Sequence, residues 1–207
     1  TDRAIVYVDD DAAPGGDGTS RATAHRTISE ATAARIDGAI VAVATGRYDE
    51  VVEVYAGMTI WGACVAETRL VTSSPSEIAG ALALLEDGTG ARNLGIDAPE
   101  RPGLVAVDGS GVTLDAIVID GARMIAVYAF GASLTGNDIV VRGTREAASD
   151  GRRGRAFDVE VGARLALNNA LVEDNREIGI HLAGMGASLV ATDVVVRGTR
   201  EQVSDGT

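Results

Sequence analysis

From Gly103 onward, short runs of Val, Ile and Leu alternate with polar residues and are broken by Gly and Asp. Alternation of period two over a few residues predicts half-buried strands. The runs come in threes: 104–107, 112–115 and 117–120; then 125–128, 132–135 and 139–142; then 156–161, 163–167 and 171–175; then 178–182, 187–191 and 194–197. Successive units follow one another every 21 to 31 residues. A unit of that size cannot bury an apolar face alone, but stacked units can. If each strand pairs with its counterpart one coil on, about 4.8 Å away, the chain is an all-β parallel β-helix with three short strands per coil.

The first half reads differently. Ala4–Val8 is a strand, and Asp9–Ser20 is a turn-rich loop. A helix is expected over 27–36, because Thr27 and Glu30 have capping-box spacing and Gly38 can end it. A helix there would cover the first open end of the stack, which is otherwise a row of unpaired strand edges. Residues 39–43, 51–55, 58–61 and 69–72 are strands, 73–77 a turn, and 78–102 an irregular region. The whole is one domain over 1–207. It divides into strand, loop and capping helix (1–38), first coils (39–102) and regular coils (103–207).

Composition narrows the picture. Hydrophobic residues make up 46% of the 207, but aromatics only 3%. All 18 basic residues are Arg, against 30 acidic ones, and the net charge of −12 excludes a phosphate-tracking nucleic-acid surface. One cysteine, Cys64, allows no internal disulfide. No apolar run reaches the length of a membrane span.

The stretch TGRYDEVVEVYAGMTIWGA (45–63), with YVDDDAAPGGDGTSRATAHRTISEA (7–31), resembles secreted right-handed parallel β-helix proteins of the pectin-lyase-like superfamily. Ala24-His25-Arg26 departs from the Pro-Phe those proteins carry before their helix. The resemblance covers nearly the whole chain. It implies a right-handed, single-stranded β-helix with an N-terminal capping helix, outside the cell or on the surface of a bacterium. It does not fix a function, because that fold hosts lyases, hydrolases and adhesins alike.

One string occurs twice. IVVRGTREAASDG (139–151) returns as VVVRGTREQVSDG (194–206), 55 residues on. The Gly-Ala pairs at Gly131, Gly162 and Gly186 set steps of 31 and 24 residues, so the copies lie two units apart. Aligned third strands put Asp120, Arg142, Glu173 and Arg197 at one position in four coils: an alternating charge ladder or a binding ledge. The rest of the string is a loop on every second coil, with Arg145, Glu146, Asp150, Arg200, Glu201 and Asp205 as its candidate contacts.

Other candidates are sparser. Strand parity turns Asp158 and Glu160 outward, with His181 on the next coil and Tyr128 nearby, an exposed set able to do acid–base work on a polysaccharide. Asp9, Asp11 and Asp17 can gather around Ca²⁺, though their spacing fits no EF-hand and no cofactor is required. Asn137 and Asn168 fall at a bend, where stacked amides satisfy turn groups.

The function favoured on these grounds is a non-catalytic secreted or surface scaffold that presents its charged loops to a polysaccharide or another surface protein. Self-association through an uncapped last coil is a further expectation, since the repeats stop mid-unit. The alternative is a polysaccharide lyase or hydrolase using Asp158, Glu160 and His181. Against it stand the few aromatics and the lack of any Lys to serve as base.

Overall fold

A computed structural model describes residues 3–202. In chain order the strands are β1 (Ile5–Val8), β2 (Ile40–Val43), β3 (Gly46–Asp49), β4 (Val52–Val54), β5 (Thr59–Gly62) and β6 (Thr68–Val71). They continue with β7 (Leu82–Leu84), β8 (Gly90–Asp97), β9 (Leu104–Val107), β10 (Val112–Asp120) and β11 (Ile125–Phe130). The last are β12 (Ser133–Arg142), β13 (Arg155–Glu160), β14 (Arg164–Glu173), β15 (Ile180–Ala183) and β16 (Ser188–Arg197). One α-helix, α1 (Ile28–Ala33), follows the first loop.

The strands form two all-parallel sheets. The larger has ten strands and runs β1-β2-β5-β8-β10-β12-β14-β16, with β3 and β6 alongside. The smaller has six and runs β15-β13-β11-β9-β7-β4. From β7 on, the chain passes alternately between them, and each strand pairs with the next strand of its own sheet, a β-helix-like path. The space between the sheets holds one continuous core of Val, Ile, Leu and Ala. Leu82, Leu104, Leu114, Ile117 and Phe157 are fully buried in it. Small β-branched side chains suit this core, because strands stacked in register leave the same narrow slot in every coil.

Three expectations change. The second and third strands of each regular unit are one long strand with a bend. The bend is a single residue in the left-handed region: Asn93, Ala116, Asp138, Asn169 and Asp193, with φ between 51° and 55°. The register stacks these five in successive coils. Asn137 and Asn168 lie one residue before the bend, joined by a 3.0 Å amide hydrogen bond. Second, 78–102 is not irregular, for it contains β7 and β8. Its Gly and Asp mark turns between strands, not a break in the stack. Third, α1 ends earlier than expected. Arg35 takes φ 46°, so the helix stops before Gly38 is reached.

The capping box at Thr27 and Glu30 is present. Glu50 adds to it: its carboxylate accepts from the backbone N–H groups of Ile28 (2.8 Å) and Ser29 (2.9 Å). A negative group there suits the exposed N–H groups of a first turn. Ile28 and Ala31 are buried in the core at its N-terminal end. At the other end β15 and β16 are the outermost strands of their sheets, and Leu182 and Val195 are 40% and 51% exposed. No helix of the described residues is long and apolar enough to cross a membrane.

Candidate acid–base site

The six-stranded sheet carries the candidate site on its outer side. Parallel pairing puts Tyr128 of β11, Asp158 of β13 and His181 of β15 at one position in three successive coils. Their neighbours Val127 and Phe157 turn into the core. Alternation therefore sends Tyr128, Asp158 and Glu160 the other way.

Outward does not mean exposed here. The Asp158 side chain is 2% exposed, which corrects the expectation of an open carboxylate. Two side chains cover it. Arg155 Nη1 lies 3.0 Å from one oxygen, and His181 Nδ1 lies 2.7 Å from the other. Arg155 is itself clamped by Glu177, with contacts of 2.6 and 3.1 Å. The Glu177 hydrogen bonds, with that of Asp158, raise the Arg155 pKa further and fix its charge. A buried carboxylate is tolerated because it is paired on both oxygens.

His181 Nδ1 meets both a carboxylate oxygen of Asp158, at 2.7 Å, and Arg155 Nη1, at 3.0 Å. A carboxylate accepts, so the shorter contact is met by the tautomer with its proton on Nδ1. The other ring nitrogen, Nε2, is then left for exchange with a ligand or solvent. Beside it, the Tyr128 hydroxyl donates to Glu160 Oε2 at 3.2 Å. Burial first, then the negative charge of Glu160 and that hydrogen bond, push the Tyr128 phenol up to about 12. Tyr128 therefore stays a neutral donor at physiological pH.

One ligand atom from each of Asp158, Glu160 and His181 falls within 4.8 Å of the others. That spacing suits a metal, but Arg155 fills the inner side, 3.0 Å from both Asp158 and His181 Nδ1. A fixed guanidinium charge disfavours a divalent cation in the same space.

The duplicated loop lies next to this patch and is tied down. Ser149 donates to Glu77 through its backbone (3.0 Å) and hydroxyl (2.8 Å). Ala147 packs with Met124 and Ile125, against Tyr128. Asp150 turns back to the Arg152 backbone N–H, and Glu146 meets Arg176 at 3.6 Å. Arg145 is exposed and bridges Arg123 by its backbone. In the second copy Arg200 pairs with Asp174 at 3.1 Å, and the Glu201 carbonyl accepts from Arg176 at 3.1 Å. Asp205 lies outside the described residues.

Asp120, Arg142, Glu173 and Arg197 stand in one column of the ten-stranded sheet. The ladder resolves into two rungs: Arg142 with Asp120 at 2.8 Å, and Arg197 with Glu173 at 2.7 Å. The Ca²⁺ set does not assemble as expected. Asp17 is held in its own turn by Thr19 and by the Thr23 hydroxyl at 2.6 Å, which lowers its pKa to about 2. Asp10, not Asp17, converges with Asp9 and Asp11. Asp10 in turn accepts from the Arg47 backbone N–H at 2.9 Å.

Sequence reasoning missed Arg155, which covers Asp158, and Glu177, which holds Arg155 in place. Strand alternation carried no signal for Arg155, since residues three apart on a strand face opposite ways. It also missed Asn175, fully buried, whose side chain accepts from Thr144 N–H at 2.9 Å and fixes the start of the loop.

No family model matches the chain, and no curated protein matches it. Its fold is similar to the crystal structure of a "putative glycosyl hydrolase" from Parabacteroides merdae, at 11% identity and a TM-score of 0.46. That likeness covers 81% of this chain and 86% of the other, and at such a score it decides nothing about function.

Proposed function

We propose that this chain is a right-handed, single-stranded parallel β-helix of the pectin-lyase-like kind, that it works outside a bacterial cell, and that the His181 patch performs acid–base chemistry on a polysaccharide. One observation carries the reading: a buried Asp158 accepts from His181 Nδ1 and leaves Nε2 free. In this reading His181 takes the proton from a sugar or an attacking water. Glu160 and Tyr128, already hydrogen-bonded, hold a neighbouring hydroxyl. Arg155 holds one oxygen of Asp158 and leaves the other to face His181 Nδ1.

The test is incubation with neutral and acidic polysaccharides. New reducing ends point to hydrolysis, and unsaturated products absorbing in the ultraviolet point to elimination. Either should vanish in His181→Ala and persist in Asp120→Asn, which lies in the other sheet. If no polysaccharide in the panel yields product, the acid–base reading falls. The second reading, a non-catalytic surface scaffold, then stands. It draws on the recurrence of an Arg–carboxylate ion pair and of the RGTRE loop sequence two units apart.

A further inference from the structure

The outer face of the ten-stranded sheet carries a trough of about 630 Å³ near β1, far in the fold from the His181 patch. Tyr7, Ala42 and Trp61 occupy one position in β1, β2 and β5. With strands about 4.8 Å apart, the two aromatic residues stand about 10 Å apart across the small Ala42. Arg92 comes next in that column. Its guanidinium lies 4.3 Å from the centre of a Trp61 ring and is held by Asp115 at 2.8 Å. One indole face is thus taken by Arg92, and on the other side the register sets Trp61 next to Ala42. Trp61 is 38% exposed and Ile5, in the same trough, 46%.

The far wall is built by the first loop. It folds back along β1, with Tyr7 N–H donating to the Gly18 carbonyl and His25 N–H to the Tyr7 carbonyl, both at 2.9 Å. This sets Arg21 and Asp9 at the trough. Arg21 has neither a hydrogen bond nor an ion pair among the described residues. In a protein where most Arg side chains are committed, a free guanidinium beside an open indole is a distinctive pairing.

We propose that the trough binds a pyranose ring of a neutral glycan. A pyranose offers a flat face of C–H groups, whose weakly positive hydrogens suit the negative face of an indole. Its hydroxyls both donate and accept, matching Asp9 as acceptor and Arg21 as donor. Charge selects the neutral ligand. Asp9 lines the trough and its carboxylate clusters with those of Asp10 and Asp11, and the whole chain carries a net charge of −12, so an acidic sugar would meet repulsion.

Trp61 is the single tryptophan, so its fluorescence reports on the trough alone. Titration with xylo- and cello-oligosaccharides should shift or quench that emission with a Kd of about 1 mM, as expected of a shallow open site. Oligogalacturonate should leave it unchanged. Arg21→Ala, an exposed change that keeps the reporter, should weaken the neutral ligands about tenfold. His181→Ala should bind as the parent does, so this result is separate from the acid–base reading. No response to the neutral oligosaccharides, a preference for oligogalacturonate, or full affinity in Arg21→Ala would each overturn the proposal.

Discussion

His181 Nδ1 lies 2.7 Å from a carboxylate oxygen of Asp158, across one strand spacing of the six-stranded sheet. Asp158 is also held by Arg155, so the two partners are not equal. Asp158→Ala strands the inner ends of both Arg155 and His181 and should cost about 3 kcal/mol in urea unfolding. His181→Ala leaves Asp158 on Arg155 and should cost about 1 kcal/mol. Equal losses from the two variants would show that Arg155 does not sustain the buried carboxylate.

Tyr128 gives a pH signature. Its phenol is pushed up to about 12, by burial first and then by Glu160, while an unfolded tyrosine titrates near 10. The folded state thus favours the neutral form. The stability this contributes is whole below about pH 10 and is lost as pH rises through about 12. Ultraviolet titration, taken as a difference against Tyr128→Phe, should show the high midpoint. Glu160→Gln should lower it, because the repelling charge is gone. An unchanged midpoint would leave burial as the whole cause.

The charge column makes a prediction about coupling. Arg142 and Asp120 form an exposed pair, 49% and 39% accessible, and such pairs are worth about 0.2–1 kcal/mol. A double-mutant cycle on Asp120→Asn and Arg142→Gln should return a coupling in that range, smaller in high salt. The cycle on Arg142→Gln and Glu173→Gln should return about zero, because Glu173 is engaged by Arg197. Equal coupling in both cycles would mean a continuous ladder.

Much of this was legible in the chain. Alternation of Val and Ile, with the Gly-Ala pairs at Gly131 and Gly162, located the strands and the two-coil duplication, since parallel stacking repeats one environment per coil. The column Asp120, Arg142, Glu173 and Arg197 follows from the same register. What escaped depends on cover from outside the strand. Parity told that Asp158 points outward, but not that Arg155 and His181 close over it. Alternation likewise could not show that Asp17 is saturated by Thr19 and Thr23, because loop geometry has no period. Residues 78–102 read as irregular since β7 is three residues long and β8 bends at Asn93.

The bend column offers a stabilising change. Asn93, Ala116, Asp138, Asn169 and Asp193 all sit near φ 50°. In that conformation Cβ crowds the following carbonyl, at about 1 kcal/mol for most residues and less for Asn or Asp. Ala116 is the one member without a side chain suited to it. Asn169 shows what the others gain, since its amide donates to the Asp138 carboxylate on the preceding coil. Ala116 lies directly before Asp138 in the column, so Ala116→Asn places an amide within one strand spacing of the same carboxylate. The variant should gain about 1 kcal/mol and raise Tm by about 2–4 °C for a chain of this size. Ala116→Gly, which relieves the crowding without adding a hydrogen bond, should gain less, because glycine also loosens the unfolded chain. Calorimetry of the two variants separates the terms. A loss of stability in Ala116→Asn would mean that the column is set by the neighbouring strands and not by the residue at the bend.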